Sequence, residues 1–117
     1  MASREIRDLS PEMQVLYNKF YDRCRRDTGL LKEGISVILL CTYRSEEEQE
    51  KLLARGLIAS KKNGHSHVDV RGKPSAEAFD IGVLLHGVMT GGDMRIAEHA
   101  EAVGLIQAEP GTFRKPK

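Results

Sequence analysis

The sequence predicts one domain that mixes helices and strands, and three observations predict it. Apolar residues recur at three- and four-residue steps from Leu9 to Cys24, the period of an amphipathic helix. Ile35 to Thr42 is a near-continuous apolar and β-branched run, while Phe79, Ile81, Val83 and Leu85 alternate with Asp80, Gly82 and Leu84, the period of a strand. The chain is 117 residues long, enough for a single modest core.

Each element follows from its own signals. Ser10-Pro11 reads as a helix start, with Ser as the N-cap and Pro at the first helical position. Leu9, Met13, Leu16, Tyr17, Phe20 and Cys24 form its apolar stripe, and Gly29 is the expected stop. Arg23, Arg25 and Arg26 lie where the helix dipole favours cations, so they read as a solvated helix end rather than a phosphate site. The run from Ile35 to Thr42 reads as a strand buried on both faces. Ser45 then caps a second helix with Glu48 at the capping-box position, Leu52 and Leu53 on its buried side and Gly56 at its end. From Leu57 to Pro74 the chain is polar and Gly-rich, with turn signals at Lys61-Lys62-Asn63-Gly64 and Gly72-Lys73-Pro74. The alternating strand follows, then a His86-Gly87 turn. A third helix, capped by Asp93 and closed by Gly104, carries Met94, Ile96, Ala97, Ala100 and Val103. Leu105-Ile106 begins a last short strand, and from Glu109 the tail reads as polar, with Phe113 its only large apolar residue.

Bulk properties narrow the function. The net charge of +1 implies no polyanion partner. Aromatic residues are 5% and Trp is absent, which argues against base-stacking platforms, so no nucleic acid is expected. Met1 to Glu5 lacks the apolar core of a signal peptide, and no stretch is long enough to span a membrane. The expectation is a monomer made in the cytoplasm that needs separate release, of the holin type, to act outside it. Cys24 and Cys41 form no C-x-x-C and read as reduced, buried thiols, with a disulfide between them left open.

The candidate chemistry lies in Gly64-His65-Ser66-His67 and in Asp80. Imidazole and carboxylate together are what zinc takes when no thiolate is used. If the segment is extended, His65 and His67 point to the same side. An acid within an apolar strand is costly to bury without a partner, and a metal ion or an arginine would offset that cost at Asp80. Arg44, between a strand and a helix start, reads equally well as a partner of Glu47 or Glu48 and as a fork for a substrate carboxylate. His86 reads as a turn residue and His99 as a surface or partly packed imidazole.

Thr42-Tyr43-Arg44-Ser45-Glu46-Glu47-Glu48-Gln49 closely resembles the "(G/T)YRS-x-x-x-Q" segment of zinc peptidases that cut peptidoglycan stem peptides. These are the D-alanyl-D-alanine carboxypeptidases and the phage L-alanyl-D-glutamate endolysins. His67, through Gly72-Lys73-Pro74-Ser75, to Ala78-Phe79-Asp80 is similar to their "S-x-H … G-K-P-x-S-x-A-F-D" segment. Ile96-Ala97 with Gly104-Leu105 is similar to their "IA … A … GL" segment. The resemblance spans roughly Ile35 to Leu105, in family order.

The resemblance implies an α+β domain of the Hedgehog/DD-peptidase kind, a small antiparallel sheet packed by about three helices over residues 1–117. It implies a zinc cofactor and a peptidoglycan peptide partner, with His67 and Asp80 as metal ligands and Arg44 on a substrate carboxylate or carbonyl. Three protein ligands leave the fourth position of zinc open for chemistry. The chain departs from the pattern in two places. His65 stands where the family has Ser, which makes it a possible third ligand. The family's C-terminal His, in a "P-H-F" or "E-P-W-H" setting, has no counterpart. One alignment sets Glu109-Pro110-Gly111-Thr112 on the latter, keeping Glu109 as the candidate base and putting Thr112 in the ligand's place. Another sets Thr112-Phe113-Arg114-Lys115-Pro116 on "T-F-R-D-x-P-H", so that the domain is shortened just before the ligand. Three functions are therefore open. They are a zinc peptidase, a catalytically inactive cell-wall-binding relative, and a phage structural module that keeps the fold.

Overall fold

In the computed structural model, residues 2–57 and 65–116 are described; the expected Lys61–Gly64 turn lies outside them. Helix α1 (Pro11–Arg26) starts as its cap signals require: the Ser10 hydroxyl accepts from the Met13 N–H at 3.2 Å, and Pro11 takes the first position. Met13, Tyr17, Phe20 and Cys24 are its buried stripe. The helix stops before Gly29. Asp27 ends it and caps a short helix α2 (Thr28–Lys32), its carboxylate accepting from the N–H groups of Gly29 and Leu30. Those N–H groups have no partner inside the helix, so an acid there favours a new start.

Strand β1 (Ile35–Cys41) leads to helix α3 (Glu46–Ala54), whose Ser45–Glu48 capping box forms as expected. Its buried side chain is Gln49; Leu53 is exposed. Strands β2 (Ala78–Leu85) and β3 (Val88–Thr90) follow, then helix α4 (Met94–Ala102) and strands β4 (Ile106–Glu109) and β5 (Thr112–Arg114). The sheet is antiparallel throughout, in the order β1-β2-β5-β4. The second half of β2 also pairs with β3. The chain is thus α+β with a small antiparallel sheet, as expected, and among the described residues it has four α-helices, the short α2 being additional to the three expected.

Two strands correct the sequence reading. β1 is an edge strand with only Val37 and Cys41 buried, not a strand covered on both faces. The tail is not merely polar. Pro110-Gly111, with Gly111 at φ 83°, makes a tight turn that returns β5 to the middle of the sheet. This buries Phe113 against Phe79 and Phe20, at ring distances of 5.9 and 5.5 Å, so the three phenylalanines of the chain form one cluster. Tyr17 meets Phe79 edge-on at 5.0 Å. This core face of β2, made of Phe79, Ile81 and Val83, is where α1 lies. Asp80 is on the other face.

Helix α4 is tied to the α1–α2 junction by His99 Nε2, 2.7 Å from Asp27 Oδ2. Among the described residues, no helix is long and apolar enough to cross a membrane.

Truncating Phe79 to Ala should cost about 3–5 kcal/mol in urea unfolding. A loss under about 1 kcal/mol would show that the three-ring cluster is not what holds helix to sheet. The bond from His99 also holds the Asp27 carboxyl below its ordinary value of 3.8. A carboxyl whose pKa falls on folding adds stability that is complete above its unfolded value and lost as pH drops through the folded one. Stability should therefore fall below about pH 4 less steeply in Asp27→Asn than in the wild type. Equal acid slopes would refute the clasp.

Candidate functional site

Asp80 is the third residue of β2 and lies between two other strands. Its register partners are Cys41 on β1 and Thr112 on β5, which puts the three in one row across the sheet. Strict alternation along β1 would turn Cys41 to the core side with Val37 and Leu39. A bulge between Leu39 and Cys41 changes the register at Leu40, and Cys41 becomes the partner of Asp80. Bulges re-aim side chains in this way, often beside functional sites.

The row is closed from above by His65, which is fully buried. Its Nδ1–H donates to the Thr42 carbonyl at 2.7 Å, leaving Nε2 to face Asp80 Oδ1 at 3.1 Å. The Thr112 hydroxyl donates to the same carboxylate oxygen at 2.5 Å. Arg44, also buried, brings Nη2 to 3.8 Å from Asp80 Oδ2, and its backbone N–H donates to the His65 carbonyl at 3.0 Å. The Arg44 Nε is buried with no hydrogen-bond partner among the described residues.

Electrostatics follow from this packing. Burial acts to raise the Asp80 pKa, but the His65 and Thr112 bonds and the Arg44 charge outweigh it and hold the carboxyl below its ordinary range. Burial likewise acts against a charged His65 ring, and the bonds to Asp80, Cys41 and Thr42 overcome it, lifting its pKa to about 9. The acid that the sequence marked as costly is therefore met by two cationic side chains.

Cys41, His65 and Asp80 are the group that could hold a metal ion among the described residues; one ligand atom from each lies within 4.8 Å of the others. Thiol sulfur, imidazole nitrogen and carboxylate oxygen are all donor types that zinc takes. The residues present therefore fit a divalent ion.

The structure brings together His65, Asp80 and Arg44 of the residues singled out from sequence, and it places the other two elsewhere. His67 is exposed: its Nδ1–H donates to the Ser75 carbonyl at 2.8 Å and its Nε2 is 3.5 Å from Glu77. The chain turns at His65 and Ser66, so the same-side rule for an extended segment does not apply. Glu109 is the register partner of Thr112, one strand further along the row, and makes no hydrogen bond or ion pair through its side chain among the described residues. Arg44 faces Asp80, while Glu47 pairs with Lys51 at 3.4 Å and Glu48 closes its capping box. Cys41 was read as a small hydrophobe. Its position at a strand end, three residues before Arg44, is the signal that could have marked it. Both cysteines are free thiols.

No protein-family model matches the chain, and no curated protein matches it. Among solved structures, the fold is similar to the crystal structure of the L-Ala D-Glu endopeptidase ChiX of Serratia marcescens. The TM-score is 0.65 at 12% identity, over 99% of this chain and 89% of that one. At this identity the likeness is one of fold.

Asp80→Asn leaves Arg44 facing no anion in a largely buried place, and should cost about 3–5 kcal/mol in urea unfolding. Thr112→Val removes one bond to a charged group, with an expected loss of about 1.5–3 kcal/mol. Midpoints unchanged in both variants would mean that the row does not exist in solution.

Proposed function

We propose that the chain is a zinc-dependent peptidase acting on peptidoglycan stem peptides, as a carboxypeptidase or an endolysin-type endopeptidase, within one peptidase-like domain. The observation that carries the proposal is the convergence of His65, Asp80 and Arg44 at the ends of β1 and β2. The endopeptidase likeness of the fold and the motif order from Thr42 to Asp80 support it.

Zinc, when bound, supplies a Lewis acid that polarises a carbonyl and acidifies water. His65 and Asp80 would hold it: the Thr42 carbonyl takes the His65 Nδ1–H, so that Nε2, on giving up its own proton, would present its lone pair to the ion. Arg44 is held at the site by its own backbone bond to His65, and its unpartnered Nε has a donor to offer a substrate carbonyl or carboxylate. Hydrolysis forms a carbon–oxygen bond, breaks the carbon–nitrogen bond and returns a proton to the leaving amine. Glu109 is the carboxylate for that proton transfer, since no partner within the described chain competes for it.

A second reading has a specific observation in its favour. A hydroxyl, Thr112, stands beside Asp80 where one alignment places a third imidazole, and the Asp80 charge is already met by His65 and Arg44. A relative that binds cell-wall peptide without cutting it would look like this.

Incubating the full chain with zinc and purified muropeptides, followed by mass spectrometry, separates the two. The peptidase reading expects a new fragment from a stem-peptide bond, reduced at least about 100-fold in Asp80→Asn and His65→Gln. Muropeptides left intact, but retained on immobilised protein and released by Arg44→Met, would replace it with the binding reading.

A further inference from the structure

We propose that Cys41 is a metal ligand, its thiolate completing a three-residue set with His65 and Asp80. The inference rests on the zinc-site reading above and names the third ligand.

Three independent features point to Cys41. The first is its orientation. Alternation alone would bury this side chain among the core residues with Val37 and Leu39, and the bulge at Leu40 turns it to the Asp80 side instead. The second is its neighbours. Cys41 Sγ lies 3.8 Å from His65 Nδ1, the nitrogen that bonds Thr42, and the span that bears on a shared ion is the 4.8 Å within which one ligand atom each from Cys41, His65 and Asp80 fall. Tetrahedral zinc with ordinary bond lengths puts sulfur and nitrogen ligands about 3.5 Å apart, so closing on an ion asks for a movement of about an ångström. The third is its surroundings. Cys41 is buried, so its sulfur meets these groups with little competition from water.

The other candidates for the third place are weaker. Thr112 donates its proton to Asp80, which orients the carboxylate and leaves a neutral hydroxyl oxygen, a poor zinc donor. The His67 ring is engaged with Ser75 and Glu77. Cys24 is in the core on α1 near the Asp27–His99 pair, but among the described residues its sulfur does not converge with an imidazole and a carboxylate as Cys41 does.

Metal uptake must release two protons to solvent, one from the Cys41 thiol and one from His65 Nε2, because the thiolate and the imidazole lone pair are the ligands. The resulting set is one sulfur, one nitrogen and one oxygen. Two of its members are anions, so together they cancel the charge of a divalent ion.

Cobalt(II) reports thiolate ligation directly through a sulfur-to-metal charge-transfer band in the near ultraviolet. The full chain, stripped with a chelator and titrated with cobalt(II), should develop that band and saturate at one equivalent. The band should persist in Cys24→Ser and vanish in Cys41→Ser, with zinc affinity in the latter reduced by more than the roughly 10–100-fold that loss of an outer partner causes. Circular dichroism checks that Cys41→Ser is folded. If it is not, retention of the band in Cys24→Ser, where Cys41 is the sole remaining thiol, decides in favour. One equivalent of cobalt bound by the wild type without the band overturns the thiolate ligand and leaves the zinc-site reading standing. No binding of cobalt or zinc by the wild type overturns both.

Discussion

A carboxylate held within an apolar sheet is the constraint on which this structure turns. Asp80 sits between Cys41 and Thr112, on a strand whose other residues form the core or its cover. An uncompensated charge there would cost more than most single contacts contribute. The surrounding chain is arranged to prevent that. Arg44 comes from the end of β1, His65 from a turn ahead of β2, and Thr112 from a strand returned by the Pro110-Gly111 turn. Three segments distant in sequence therefore meet at one carboxylate, and the same meeting creates the site.

Legibility from sequence divided along the same line. Local signals were enough for the helix caps at Ser10, Ser45 and Asp93, all of which form, and for the alternation that became β2. Asp80 stood out because an acid breaking an apolar period is anomalous by itself. What failed was whatever depended on long-range pairing. β5 is too short to show a period, and its placement in mid-sheet comes from Phe113 packing on Phe79. β1 read as fully buried because its composition is apolar, yet composition cannot tell an edge strand from a central one.

The histidines show the limit most sharply. His65 and His67 are equivalent by type and nearly so by position, and the family pattern favours His67. Only the turn at His65–Ser66 sends one ring into the interior and leaves the other at the surface. Cys41 is the converse case. A small apolar residue at a strand end reads as packing, and the bulge that turns it toward Asp80 depends on the register of two strands, which no single segment encodes.

The two faces of β2 separate fold from chemistry. Phe79, Ile81 and Val83 face α1, and the aromatic cluster they join contains no member of the Asp80 row. The packing that gives this chain its likeness to an endopeptidase at 12% identity is therefore independent of which ligands stand on the opposite face. A proton on His65 and a divalent ion both answer the same need, a positive charge beside Asp80. In this structure His65, Arg44 and Thr112 already meet the Asp80 carboxylate from three sides. For that reason the donor set of this chain, rather than its fold, is what decides the chemistry open to the Asp80 face.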